Sequence, residues 1–355
     1  MKIAYIITSL ANAGPIAVVR DLVSLMKAHG HDVDVYYFDP TKELTFACDT
    51  RKISMLSNFD FAKYDIVHCH GLRPDLYVMI HKGWKCKTPI CTTIHSYMEQ
   101  DHAFKYGKKW AKITTRMVLF STVRDDRIIL LSRHMRDYYK NKLPSGKLTY
   151  AYNTHVTDSN AMLTDEESQL IGTFKGVDRL LCSVSGLNRR KGLHQIIRVL
   201  PFLPNVKFCV VGDGEERQNL QQLADSLDVR DKVLFVGYKD NGFRFLTMAD
   251  AFVMPSYSEG FPLAMLEAAS MGKAIVCSDI PVFDEVFSDT EVSRFKNDDA
   301  DSLKMAVERA ILEKGILGEN AKARFDKDYS AENFYNRHIE IYNDMIYSKR
   351  NNSNM

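Results

Sequence analysis

The sequence predicts an α/β protein built as two doubly wound parallel-sheet domains. Three observations point there. Short apolar runs alternate with helix-forming segments along almost the whole chain, which implies parallel strands joined by right-handed crossovers. The 355 residues suffice for two domains of ordinary size. A composition of 45% hydrophobic and 26% charged residues is that of a soluble globular protein.

In the first half, residues 2–8 form an apolar run that reads as a strand, followed by a loop at 9–14. Pro15 suits the first turn of a helix over 15–28, and Gly30 suits the position just past its end. Residues 32–38 read as the next strand. This start aims Gly14 and the free amides of the helix at the carboxyl edge of the sheet, where ligands bind in such folds. Residues 65–71 and 89–96 are further strands. The first ends in His68 and His70, which alternation puts on one face. With no third ligand nearby, they suit packing or acceptor contact better than a metal. The second carries His95 at its carboxyl end. Residues 126–131 form a strand, Ser132 caps a helix over 133–141, and 149–153 form the last strand of this half. The polar stretch 154–175 reads as a linker leading to the second domain.

The second half repeats the pattern. Strands are expected at 179–185, 205–211, 232–236, 251–255 and 273–277. Helices are expected at 193–200, 215–227, 242–248, 263–269, 301–313 and 318–328, with a terminal helix over 330–348 capped by Ser330. Gly186-Leu187-Asn188-Arg189-Arg190-Lys191-Gly192 follows a strand and opens a helix. Its cations could hold a diphosphate and offset the charge that builds on it as it leaves. Gly212-Asp213-Gly214 has the first two glycines of a dinucleotide fingerprint, but Arg217 stands where the third is needed.

The most informative stretch is Ser256-Tyr257-Ser258-Glu259-Gly260-Phe261-Pro262-Leu263, which lies between an apolar strand and a helix of good helix formers. Pro262 suits the first helical position, and Gly260 leaves room for a ligand close to the backbone. The first-turn amides make a seat for phosphate. Glu259 would stand to one side of a diphosphate there, and Glu267, about a turn and a half into the helix, could take both hydroxyls of a ribose.

This stretch closely resembles the signature of family 4 of the retaining glycosyltransferases (glycosyl transferases group 1), which have the GT-B fold. There two glutamates frame the pattern E-G-F-P-L-x-x-x-E-A; here they are Glu259 and Glu267, with Gly260, Phe261, Pro262, Leu263 and Ala268 in register. The resemblance is strong from about 181 to 285 and thin in the first half. It implies domains of 1–157 and 158–329 facing a cleft, the helix at 330–348 crossing back onto the first. It implies that Gly14 and His95 lie near the donor sugar, and that Gly186, Gly212, Val236, Gly237 and Tyr238 lie near the nucleotide. In the family an Arg follows the first glycine of the G-R…K-G element; Lys191-Gly192 matches, but Leu187 stands at the Arg position, so Arg189 or Arg190 must supply the guanidinium.

Composition narrows the setting. No run approaches the roughly 18 apolar residues of a membrane span, and the amino terminus reads as a strand, not as a secretory signal. The seven cysteines are odd in number and scattered, as expected of thiols in a reducing cytoplasm. Residues 1–150 hold 23 Lys and Arg against 14 Asp and Glu, whereas 151–355 hold 24 against 31. Such asymmetry points to a partner that meets one half. Basic residues surround both tryptophans, Trp84 and Trp110, within 81–116, a mixture suited to peripheral contact with an anionic membrane at the inner face of the plasma membrane. No RNA- or DNA-binding motif accompanies the charge, so no nucleic acid is expected.

The expected protein is a hexosyltransferase that moves a sugar from a UDP- or GDP-sugar to a saccharide or lipid-linked saccharide acceptor, with retention. Its setting would be bacterial capsule, lipopolysaccharide or exopolysaccharide synthesis. Lys191 with Arg189 or Arg190 would offset the leaving diphosphate, Glu259 would contact sugar hydroxyls, and His95 would sit near the reacting carbon. With no Asp-x-Asp motif at a strand end, neither metal nor cofactor is expected beyond the nucleotide-sugar donor. A nicotinamide-dependent epimerase or dehydrogenase would need an intact G-x-G-x-x-G after the first strand, which 8–14 does not supply. A nucleotide-sugar-binding regulator without catalysis is the other alternative.

Overall fold

The computed structural model describes residues 1–155 and 161–353. The chain divides into two compact units, Met1–Val156 with Tyr329–Met355, and Thr157–Asp328. The boundary expected between 157 and 158 lies outside the described residues.

The first unit contains β1 (Lys2–Ile7), α1 (Gly14–Ala28), β2 (Asp32–Tyr37), β3 (Thr50–Lys52), β4 (Ile66–His70), α2 (Leu72–His81), β5 (Ile90–Ile94), α3 (Met98–Tyr106), α4 (Lys108–Ser121), β6 (Arg127–Leu130), α5 (Arg133–Tyr139) and β7 (Leu148–Tyr150). Its seven strands run in the order β3-β2-β1-β4-β5-β6-β7. The second unit contains α6 (Asp165–Lys175), β8 (Arg179–Val184), α7 (Leu193–Val199), β9 (Val206–Val211), α8 (Arg217–Ser226), β10 (Val233–Gly237), β11 (Ala251–Met254), α9 (Leu263–Ser270), β12 (Ala274–Ser278), α10 (Pro281–Val286), β13 (Ser293–Phe295), α11 (Ala300–Leu312) and α12 (Lys314–Asp328). Its six strands run β10-β9-β8-β11-β12-β13. Every named strand pairing is parallel, so both units are the doubly wound sheets that the alternation of elements predicts.

Strands buried on both faces explain the continuous apolar runs. Val67 and Ile90 lie in one core, and Phe208, Val210, Val253 and Val276 in the other, each almost wholly removed from water. In each sheet the strand order reverses once, between β1 and β4 in the first unit and between β8 and β11 in the second. Adjacent loops part at such a point and leave a crevice at the carboxyl edge. The last helix, α13 (Ala331–Ser353), belongs to the first unit, where the Tyr342 hydroxyl lies 3.1 Å from that of Tyr5 on β1.

Several elements differ from the sequence-based expectation. Residues 165–175, read as linker, form α6, because Thr164 and Glu167 close a reciprocal capping box over a first turn of three acids. Pro262 is the N-cap residue of α9 rather than its first helical residue, with ψ at 69°. The 242–248 segment is a 3₁₀-helix, and α12 begins at Lys314 rather than 318. The edge strands β3 and β13, three residues each, are too short to show a period. Helices α2, α3, α4 and α10 were not expected as such; the basic stretch around Trp110 falls on α4.

One buried feature answers no sequence signal. Asp75 on α2 and Asp125 before β6 are both buried, and Asp75 Oδ1 and both Asp125 oxygens lack a hydrogen-bond partner. Burial raises both carboxyls above their ordinary range, Asp75 adding to the rise at Asp125; a hydrogen bond from Thr92 opposes the rise at Asp75 without reversing it. The folded state therefore keeps a proton that the unfolded chain releases above about pH 4. The resulting cost is absent below that pH and grows as the pH rises. Asp75→Asn should stabilise the protein by about 1–3 kcal/mol at pH 8, with the gain fading toward pH 4 in paired thermal melts. A variant no more stable than wild type at pH 8 would refute this account.

Candidate active site

The site is built at the strand-order reversal of the second unit. The loop after β8 and the loop after β11 meet there, and backbone contact holds them together. Tyr257 N–H donates to the Arg190 carbonyl at 2.9 Å. Gln195, on α7, donates from Nε2 to the Pro255 carbonyl at 2.9 Å and accepts at Oε1 from the Asp298 N–H at 2.8 Å. Gly192 sits between the loops with φ at +66°, and any β-carbon there would collide with the Pro255 carbonyl. Its conservation of space, not contact with a ligand, is what the structure requires of it.

Glu259 is the centre of the assembly. Only 6% of its surface is exposed. Oε1 accepts from Lys191 Nζ at 2.7 Å and from Ser256 Oγ at 2.7 Å, and Oε2 lies 3.3 Å from Arg190 NH1. Arg190 also donates to the Ser258 carbonyl. Burial pushes the carboxyl up, but Lys191, Arg190 and the hydroxyl outweigh it and hold Glu259 below its ordinary range. Two cations against one carboxylate leave the cluster with a net positive charge. Expected to contact sugar hydroxyls, Glu259 here has both oxygens engaged by protein groups and acts first to fix the two cations.

The question of which arginine accompanies Lys191 has a geometric answer. Arg190 is in the cluster, whereas Arg189 is exposed. Leu187, at the place of the family's arginine, is buried in the core with 1% exposure. Gly186 is exposed as well, and a β-carbon there would meet only the Asp213 carbonyl at 4.0 Å.

The remaining carboxy-terminal candidates gather on the same edge. Leu187 N–H donates to the Asp213 carbonyl at 2.9 Å, and Gly212 N–H donates to the Gly237 carbonyl at 2.8 Å, linking the loops after β8, β9 and β10. Gly212 has φ at +139° and backs onto the Ser185 carbonyl, which excludes any side chain. Val236 and Gly237 end β10; Tyr238 is exposed, its hydroxyl donating to Asp240 at 2.8 Å. Gly260, Phe261 and Pro262 are buried at the start of α9, with Leu263 and Glu267 partly exposed. His95 and Gly14 belong to the first unit: Gly14 is the exposed first residue of α1, and His95 follows β5, its Nε2 2.9 Å from His70 Nδ1. Sequence reasoning missed Ser256 and Gln195 as supports, since each is identified by what it touches and not by a motif; His70, read there as a packing or acceptor residue, is the one that meets His95.

Glu259→Ala strands Lys191 and Arg190 without their carboxylate, and should cost about 3 kcal/mol of stability at pH 7 in chemical denaturation. Because the carboxyl is held low, the difference from wild type should be full above about pH 4.3 and shrink as the pH falls below it. A difference that does not depend on pH would show that the charge is not what matters.

Comparison with known proteins agrees with this architecture. The profile of the Glycosyltransferase Family 4 domain matches residues 51–158, and that of Glycosyl transferases group 1 matches 165–328. The O-antigen biosynthesis glycosyltransferase WclY of Escherichia coli is 29% identical over 354 residues, covering 98% of this chain and 99% of its own length. A UDP-Gal:alpha-D-GlcNAc-diphosphoundecaprenol alpha-1,3-galactosyltransferase of Escherichia coli is 24% identical, covering 88% of this chain and 84% of its own. The crystal structure of Anabaena HepE in complex with UDP and glucose superposes with a TM-score of 0.80 at 16% identity, covering 96% of this chain and 99% of that one. With a Glycosyltransferase Family 4 profile matched in the first half, a Glycosyl transferases group 1 profile in the second and the fold shared with solved GT-B structures, the chain is a glycosyltransferase of the GT-B fold.

Proposed function

We propose that this glycosyltransferase moves a hexose-type sugar from a nucleoside-diphosphate sugar to a saccharide or lipid-linked saccharide, with retention of configuration, in the synthesis of a bacterial surface polysaccharide. The observation that carries the reading is the Lys191–Arg190 pair held on Glu259 at the strand-order reversal. In transfer, the sugar–oxygen bond to the diphosphate breaks and negative charge develops on the departing phosphate. A pre-positioned cation pair favours that charge without reorganising. Glu267 would take the ribose, the loops at 212 and 236–238 the nucleoside, and His95 the sugar. The cations take the role a metal would otherwise have at the diphosphate. The O-antigen role of the Escherichia coli relative supports the pathway, and the UDP and glucose bound to the Anabaena protein favour UDP over GDP.

Thermal unfolding with UDP, GDP, their sugars and NAD tests the donor. A ligand at 100 times its Kd should add about 2.7 kcal/mol. UDP or a UDP-sugar should stabilise the protein, and Lys191→Ala should weaken that effect and lower turnover by roughly 10- to 150-fold, the equivalent of about 1.5–3 kcal/mol for a lost charged hydrogen bond. Stabilisation by NAD alone would sink the reading, and unchanged turnover in Lys191→Ala would remove the phosphate role of that residue. A non-catalytic sugar-nucleotide sensor would bind in the same assay but show no turnover to lose.

The acceptor side of the proposal includes peripheral contact with an anionic bilayer. Among the described residues no helix is long and apolar enough to cross a membrane. On α4, Trp110, Ile113, Met117 and Phe120 are all more than half exposed and recur at helical spacing, with Lys109, Lys112 and Arg116 exposed alongside. The opposite face buries Ala111, Thr115 and Leu119. An apolar stripe beside cations suits the boundary between headgroups and acyl chains. Trp110→Asp with Phe120→Asp should reduce sedimentation with phosphatidylglycerol vesicles by roughly tenfold or more, from the apolar burial lost. Unaltered sedimentation would place membrane contact elsewhere or nowhere.

A further inference from the structure

The carboxyl edge of the first sheet carries two histidines in contact, and their geometry constrains where one proton resides. His70 ends β4 and His95 follows β5, on adjacent strands in which His70 pairs with Thr93. His70 Nδ1 lies 2.9 Å from His95 Nε2, so one of these nitrogens donates and the other accepts. His70 is 4% exposed, and its Nε2 is buried with no hydrogen-bond partner. Its neighbours do not reach that nitrogen. The His68 ring, 4.2 Å away between centroids, already has Nδ1 on the Tyr342 hydroxyl and Nε2 on the Thr93 hydroxyl, both at 2.7 Å. The Tyr5 hydroxyl is engaged with Tyr342.

Three proton arrangements are conceivable. If His95 Nε2–H donates, neutral His70 must carry its own proton on Nε2, leaving a buried N–H with no acceptor, the rarer and costlier kind of orphan. If His70 is doubly protonated, a positive charge is buried with His68 on one side and His95 on the other, with no carboxylate bonded to either ring nitrogen. If His70 Nδ1–H donates, only an acceptor lone pair is left unmatched, the mildest of the three. His95 then receives at Nε2 and must hold its proton on Nδ1. Burial, with His338 nearby, pushes His95 down to about 4, so the ring is neutral at pH 7.

We infer that His70 is a positioning residue that fixes the tautomer of His95, so that His95 offers Nδ1–H as a hydrogen-bond donor to an oxygen of the bound sugar or acceptor. In this state His95 has no free lone pair. It can donate to a hydroxyl or ring oxygen, and it cannot act as the base that takes the acceptor's proton. The tautomer assignment stands on the histidine pair alone; its relevance to transfer rests on the reading of His95 as a sugar-facing residue.

Nitrogen-15 correlation spectra of histidine-labelled protein at pH 7.5 decide the tautomer, with His95→Gln and His70→Asn used to assign the two rings. The wild type should show His95 protonated on Nδ1 and His70 protonated on Nδ1. His70→Asn, whose side-chain amide can replace the Nδ1–H donor, should keep His95 in that form, whereas His70→Leu should release it to the Nε2–H form. Turnover should fall at least tenfold in His70→Leu and be largely kept in His70→Asn, with similar melting temperatures for the two. Finding His95 protonated on Nε2 in the wild type, which needs no variant to fold, would overturn the inference, as would an unchanged His95 tautomer in His70→Leu. If the tautomers are as stated but neither His95→Gln nor His70→Leu alters turnover, the inference about the proton stands and the sugar-facing role of His95 falls.

Discussion

A carboxylate taken out of water must be met by cations and donors, and the carboxy-terminal unit is arranged around that requirement at Glu259. Its partners come from two loops that are distant in sequence. Ser256 shares its own loop, while Arg190 and Lys191 arrive from the loop after β8. What brings the loops together is topological, since β8 and β11 are neighbours across the reversal of strand order. The sheet thus supplies proximity, and the carboxylate selects which side chains converge at the edge where ligands bind in such folds.

Such a cluster is useful only if it stays in place when the ligand arrives. The glycines at 192 and 212 contribute here in a way that a ligand-centred view overlooks. Each allows one loop backbone to lie against another, Gly192 on Pro255 and Gly212 on Ser185, at distances that any β-carbon forbids. Close backbone contact, together with the Gln195 clamp on Pro255 and Asp298, fixes the frame from which Lys191 and Arg190 project. Cations held in this way have their ordering cost met by folding.

The fold class and the carboxy-terminal edge were legible in the sequence because both are written locally. Buried parallel strand segments such as 208–211 and 251–254 are unbroken apolar runs, and the loop from 256 to 263 is a dense motif. What could not be read is what depends on contacts across the chain. The 165–175 helix looks like linker because its residues are mostly polar; its capping box, the buried Ile171 and the ion pairs of Glu167 with Lys239 and Arg244 and of Lys175 with Asp250 anchor it. Leu187, at the position where the resembling family has an arginine, packs into the core with Leu193 and Val210, a placement that a motif's spacing does not reveal. The Asp75–Asp125 pair and the His70–His95 contact join residues 50 and 25 positions apart, beyond the reach of any periodicity.

The two sheets reverse strand order in the same way, yet their crevices differ in chemistry. In the second unit the loops beside the reversal present two cations on a carboxylate. In the first, the strand ends beside the reversal carry His70 and His95, and Arg73, in the first turn after β4, is paired with Asp39. The excess positive charge of residues 1–150 is not concentrated there; Lys108, Lys109, Lys112 and Arg116 lie on the exposed surface of α4 instead. A neutral edge holds hydroxyls better than phosphates, because its hydrogen bonds carry direction without a field that would draw anions from solution. The same backbone plan therefore carries two different edges, a cation pair on a carboxylate in one sheet and a histidine pair in the other.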